Sequence, residues 1–287
     1  MDALNPNKTA TRAAPRVDGR ATLRVERRDG CDRLADLYMR DPLRVLFPRP
    51  RDDEPFPAIL ATTSGGLVGG DGLAVEIAAG ERANLQVVGQ AAEKIYRSAG
   101  PDTRMTVSLQ AGPGALLEVL PQGTILFDGA RLDRRVGVDA AADATVLTGE
   151  IVSFGRAAMG ERFTRGLLRD RWFVRREGKL LWADALMLDG DIQAALQAQA
   201  GCAGATAMGT AILVSPKAPQ ALELARSLLE SCPETVRSGV SLVGGVLIAR
   251  FLAGDGAALR AAFGVFWKGM RAGACGLPER LPTIWQI

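Results

Sequence analysis

From Gly72 to about Val152 apolar residues return at every second position in short runs. Leu73, Val75 and Ile77 form one such face, Leu85 and Val87 the next, and Met105, Val107 and Leu109 alternate with Thr106 and Ser108. Leu117 and Val119 flank Glu118, then come Val136, Val138 and Val146. A period of two marks half-buried strands. Glycines 80, 89, 100, 112, 114, 123 and 129 punctuate the run. Strands separated by turn signals at roughly 8–12 residues predict a sandwich, a barrel or a coiled β-solenoid. No alternation of strand and helix appears, which argues against a doubly wound sheet.

The flanks read differently. Met1–Val17 has no period and is rich in Ala, Thr, Asn and Pro, so residues 1–17 are expected to form a disordered tail ahead of one domain over 18–287. Ala21–Glu26 alternates as a strand, whereas Asp32–Arg40 fits neither period. Pro42, Pro48, Pro50 and Pro55 restrict the stretch from Asp41 to Phe56 to a loop or a sheet edge. Ser153–Gly166 breaks the alternation and predicts a loop or short helical turn. Glu177-Gly178 and Gly244-Gly245 predict hairpins. Two helices are expected late in the chain. One, near Ala218–Cys232, lies between Pro219 and Pro233. The other, near Gly256–Ala272, carries a stripe of Leu259, Ala262, Phe263, Phe266, Trp267 and Met270 behind Asp255 as N-cap.

The stretch Thr62–Asp71, TTSGGLVGGD, holds two glycine pairs and resembles a phosphate cradle at first sight. It lacks the Lys-Ser/Thr of a P-loop and the register of the dinucleotide fingerprint. A strand, not a helix, follows it, and Asp71 would repel an anion. A tight turn at the mouth of a sheet fits better.

Composition removes whole classes of chemistry. The 287 residues contain no histidine, which excludes triads built on imidazole and histidine-ligated zinc. Carboxylates, lysine and tyrosine remain as catalytic groups. With 35 Lys+Arg against 32 Asp+Glu, the charge is too even to predict nucleic-acid binding. Nearly all the cations are arginine, which fits either bidentate pairing at protein interfaces or a genome-wide arginine bias. Cys31, Cys202, Cys232 and Cys275 are scattered and form no C-x-x-C pair, as expected in a reducing, cytoplasmic compartment. No leader and no membrane-length apolar run is expected.

Asp71, Glu93, Asp128, Glu150 and Glu161 lie in or beside the glycine-rich turns. Carboxylates there serve to bond backbone amides, to coordinate a hard or borderline metal ion, or to cleave a glycosidic bond in pairs. Lys94 and Tyr96 form a further acid–base pair on paper, or ordinary surface packing.

Five segments together resemble the urease accessory protein D family, called H in some bacteria. They are TTSGGLVGGD (62–71), QAAEKIYRS (90–98), LPQGTILFDGARL (120–132), GEIVSFGRAAMGERF (149–163) and LPTIW (281–285). Thr283 stands where the family usually carries a basic residue. The resemblance implies a mostly β fold, an irregular helical stack of strands with two α-helices in the C-terminal third. It implies a scaffold and not an enzyme, one that binds apo-urease and recruits accessory protein F and the GTPase G for GTP-dependent nickel insertion. No tightly bound cofactor is implied. Transient nickel(II) along an interior path is, and Asp71, Glu93, Asp128, Glu150 and Glu161 are its candidate residues because they fall in the matched segments. The reading from residues alone keeps a carboxylate-based hydrolase as the alternative.

Overall fold

The computed structural model describes residues 16–286; the expectation for 1–15 lies outside the described residues. In chain order the first strands are β1 (Asp18–Arg28), β2 (Cys31–Arg40), β3 (Leu43–Leu46), β4 (Phe56–Thr62), β5 (Gly72–Ala79), β6 (Asn84–Gly89) and β7 (Glu93–Ile95). They continue as β8 (Thr103–Ala111), β9 (Leu116–Leu120), β10 (Thr124–Leu126), β11 (Arg131–Ala140), β12 (Thr145–Phe154), β13 (Leu167–Arg176) and β14 (Lys179–Asp189). The last third holds α1 (Ile192–Gln197), β15 (Ala207–Val214), α2 (Leu222–Glu230), β16 (Val236–Val243), β17 (Val246–Ala253) and α3 (Gly256–Cys275).

These strands build two sheets. Sheet A runs β14-β13-β11-β8-β5-β1-β2, and sheet B runs β16-β17-β15-β12-β9-β6-β4-β3, with β10 and β7 attached beside β12. From β4 to β13 the chain passes back and forth between them. Each return lays a strand parallel to its predecessor: β5 on β8, β8 on β11 and β11 on β13 in sheet A, β4 on β6, β6 on β9 and β9 on β12 in sheet B. The result is a stack of coils, with antiparallel hairpins added at the edges. Successive coils turn a corner on a buried alanine: Ala83, then Ala115, then Ala144. The amide of Leu116 donates to Ala83 and that of Thr145 to Ala115, so each corner is tied to the one before it.

A first core lies between the sheets and takes the alternate positions read from the sequence, including Leu73, Val75, Ile77, Leu85, Val87 and Leu109. A second core forms on the outer face of sheet B. There Val88, Leu120, Leu147 and Phe251 meet Phe263, Phe266, Trp267 and Met270 of α3. β12 therefore has both faces buried, Val146 and Val152 in the first core and Leu147 and Ile151 in the second.

Asp255 caps α3, its side chain accepting from the Ala257 amide at 2.9 Å. Both expected hairpins and both expected helices are present, and the fold is mostly strand. Three elements sharpen the expectation. Cys31–Arg40 is a strand, β2, along the edge of sheet A. Part of the proline-rich stretch forms the short edge strand β3. A third helix, the six-residue α1, was not foreseen; Asp191 caps it by accepting from Ala194 at 3.0 Å. Among the described residues no helix is long and apolar enough to cross a membrane.

Candidate functional site

The five candidate carboxylates fall in three places. Asp71 closes the turn after the glycine pairs. Its Oδ2 accepts from the Val68 amide at 2.8 Å and its Oδ1 from the Val17 amide at 2.9 Å. The Gly72 amide donates back to the Val17 carbonyl, so Asp71 pins the start of β1 to the start of β5. The glycines are needed for close approach: a Cβ on Gly69 would overlap the Ser98 hydroxyl.

Asp128 and Glu161 are neighbours in a second place. Asp128 Oδ1 accepts from the Thr164 amide (3.0 Å) and hydroxyl (2.8 Å), and Oδ2 from Arg165 Nε (3.2 Å). Burial opposes its ionisation, but these donors outweigh that and hold its carboxyl below the usual range. Glu161 accepts from the Asp128 amide at 3.2 Å and pairs with Arg156 at 2.6 Å. Both residues staple the 155–166 loop.

Glu93 and Glu150 meet in a third place, a cavity of about 140 Å³ inside the stack of coils. Its walls are largely apolar, with Val75, Val107, Val136 and Trp172 among them, and its polar edge is Thr62, Glu93, Thr124, Arg134 and Glu150. Glu93 Oε2 accepts from the Thr62 hydroxyl at 2.6 Å, and burial pushes its carboxyl up. Glu150 is also driven up by burial, to about 7, even though Arg134 Nη1 stands 2.7 Å from it. The reason is competition. Asp170 takes Arg134 in a fork at 2.9 and 2.7 Å, so one cation serves two buried carboxylates. Thr124 joins them, its hydroxyl 3.1 Å from Arg134 and 3.2 Å from Glu150. Burial alone would lower the basicity of Arg134; the two carboxylates raise it above the usual value.

Arg134, Asp170 and Thr124 are absent from the residues picked out in the sequence. The signal was there. Arg134 shares strand parity with Leu132, Val136 and Val138, and Asp170 with Leu168, Trp172 and Val174. A charge at an inward position of an apolar strand needs a partner.

On its far side the cavity abuts a cleft of about 560 Å³. The two share Ala91, Gln122, Gly123 and Thr124 as a partition. The C-terminal segment braces that partition. Gln122 donates to the Ile284 carbonyl at 3.0 Å and accepts from Arg260 at 2.5 Å, while Arg260 lies 3.9 Å above the Trp285 ring. The Tyr96 hydroxyl donates to the Gly65 carbonyl at 2.8 Å, which commits its proton to the backbone. Among the described residues no group of three or more His, Cys, Asp or Glu comes together to hold a metal ion.

Stacked coils with a small acidic interior and a helix-covered flank define a mostly β, solenoid-like protein. Comparison with known proteins gives the family. The model of the UreD urease accessory protein matches residues 17–286, and the chain belongs to that family. It is 45% identical over 274 residues to the urease accessory protein UreD of Magnetococcus marinus strain MC-1, covering 94% of each chain. It is 44% identical to that of Rhodopseudomonas palustris BisA53, over 89% of this chain and 88% of the relative. With the UreD of Rhodopseudomonas palustris BisB18 it shares 40% identity over 99% of each.

Proposed function

We propose that this chain is a non-enzymatic scaffold of urease maturation. In this reading it binds apo-urease in the cytoplasm, recruits accessory protein F and the GTPase G, and lets nickel(II) pass through its interior during GTP-dependent insertion. The observation that carries the reading is the pairing of Glu93 and Glu150 across one interior cavity behind an open cleft. Nickel(II) is held tightly by imidazole, and this chain has none. Two carboxylates with hydroxyls beside them give oxygen donors that take an ion and release it. Burial pushes both carboxyls up, that of Glu150 to about 7, so a cation binding there competes with a proton. Asp71, Asp128 and Glu161 enter the reading more weakly, because their oxygens are already filled by amides, hydroxyls and guanidinium groups.

The test is urease activation by Glu93→Ala, Glu150→Ala, Asp128→Ala, Asp71→Ala and Glu161→Ala chains, with assembly of the complex measured alongside. Glu93→Ala is expected to assemble and to lower nickel-dependent activation roughly tenfold, the scale of a lost metal-site contact. If all five variants assemble and activate normally, the interior path is wrong. The hydrolase alternative draws on the same pair of carboxylates, but sites for organic ligands usually run from about 300 Å³ upward. At about 140 Å³ this cavity is small for a sugar ring. Turnover of glycosides by the purified chain alone would favour it.

A further inference from the structure

We propose that the outer face of sheet A, centred on Phe173, docks an acidic surface patch of apo-urease. The partner's identity rests on the maturation reading above; the surface is argued from its own chemistry.

The two sheets differ on their outer sides. Sheet B is covered by α2, α3 and the terminal segment, whereas among the described residues nothing covers the corresponding face of sheet A. Strand register sets out what that face presents. One row runs Ala74, Thr106, Arg135, Arg171, Ala185, and the next Ser108, Gly137, Phe173, Ala183. Among these small residues Phe173, Arg135 and Arg171 are the large side chains; Arg135 is exposed, and Phe173 and Arg171 are half-buried. Leu180 and Met187, 48% and 56% exposed, border this face on β14.

Phe173 carries two guanidinium groups, Arg135 at 4.8 Å and Arg175 at 5.9 Å from its ring centroid. Their neighbours Arg169 and Arg171 are both committed to Asp133, at 3.1 and 2.5 Å. Among the described residues Arg135 and Arg175 have no carboxylate within ion-pair distance. An aromatic flanked by arginines is the composition of an interface hot spot. Stacking on the ring holds each planar fork in place, with its edge free for a carboxylate. Glu76, Asp133 and Asp139 interrupt the positive charge on the same face, so it can seat discrete acidic side chains at Arg135 and Arg175 but offers no continuous track for a phosphate backbone.

The experiment is capture of apo-urease by the full chain co-expressed with the other accessory proteins, comparing wild type with Arg135→Glu/Arg175→Glu. Charge reversal is expected to weaken capture roughly tenfold or more, and wild-type capture is expected to weaken as salt rises. Arg135→Lys/Arg175→Lys should fall between, because it keeps the charge and loses the fork. Circular dichroism and thermal melting establish that each variant is folded. Equal capture by the folded charge-reversed chain overturns this proposal alone. A wild-type chain that captures no apo-urease overturns the maturation reading, and this partner with it. Displacement of captured urease by a short DNA duplex assigns the face to nucleic acid and overturns the proposal too.

Discussion

Among the described residues two arginines, Arg134 and Arg271, are fully buried, and they are buried in opposite ways. Arg134 sits in the first core between Asp170 and Glu150, with a cavity beside it. Arg271 belongs to α3 and is buried against the second core, while its partner Glu54 borders a separate cleft of about 350 Å³. Its Nε lies 2.7 Å from Glu118 Oε1, and its other nitrogens reach Glu54 and the carbonyls of Pro278 and Arg280. Glu118 is filled in turn by Gln86 and Trp267, both at 2.7 Å. Glu54 is shared with Arg280 at 2.8 Å. Around Arg271 every acid has a cation or neutral donors enough. Around Arg134 one acid is in excess, and that acid faces open space. A closed network fixes a helix to a sheet; an unbalanced one beside a cavity retains capacity to bind a proton or a cation.

The comparison can be broken by removing each arginine. Arg134→Met leaves Asp170 and Glu150 without their cation, and loss of one member of a buried ion pair costs about 3–5 kcal/mol. Chemical unfolding should show this as the largest single loss. Arg271→Met should cost less, about 2–3 kcal/mol, because Glu118 keeps Gln86 and Trp267 and Glu54 keeps Arg280. If the Arg271 variant proves the less stable of the two, the distinction between a balanced and an unbalanced network fails.

The same two sites mark how far the sequence could be read. The first core was legible because one face of each strand is apolar, and a period of two exposes that directly. The glycine pairs before Asp71, both late hairpins and the Asp255 cap carry local signals that tertiary packing does not override. The second core was hidden. Glu118 stands between Leu117 and Val119 and reads as solvent-facing, yet it is fully buried because α3 lies on it. No local pattern announces that the outward side of a strand will be covered by a helix some 150 residues later in the chain, as the bond between Trp267 and Glu118 shows. The candidate site was legible in part. Glu93 and Glu150 were picked by their segments and do share a cavity. Asp71, Asp128 and Glu161 came from the same segments and lie elsewhere, since proximity to glycine turns does not encode which way a side chain points. Arg134 and Asp170 were overlooked because runs such as RLDRRVGV are dense in charge on both parities.

The smallest expected effect sharpens the comparison most, because it reads the excess acid itself. Glu150 faces Arg134, Asp170 and the Thr124 hydroxyl, with Glu93 across the cavity. Its carboxyl holds a proton up to about 7 in the folded chain, against an ordinary value of 4.5. Between those values the folded state binds more protons than the unfolded one, so stability must fall as pH rises through the window. Glu150→Gln cannot ionise and should lose that slope. Wild type and variant should be similar in stability near pH 5 and separate by on the order of 2 kcal/mol near pH 8, the variant being the more stable. Equilibrium denaturation across that range checks the sign as well as the size. A wild-type chain that instead gains stability relative to the variant as pH rises would place Glu150 as an ionised partner of Arg134. The first core would then be as balanced as the second, and its capacity to exchange a proton for a cation would have to be sought at Glu93 alone.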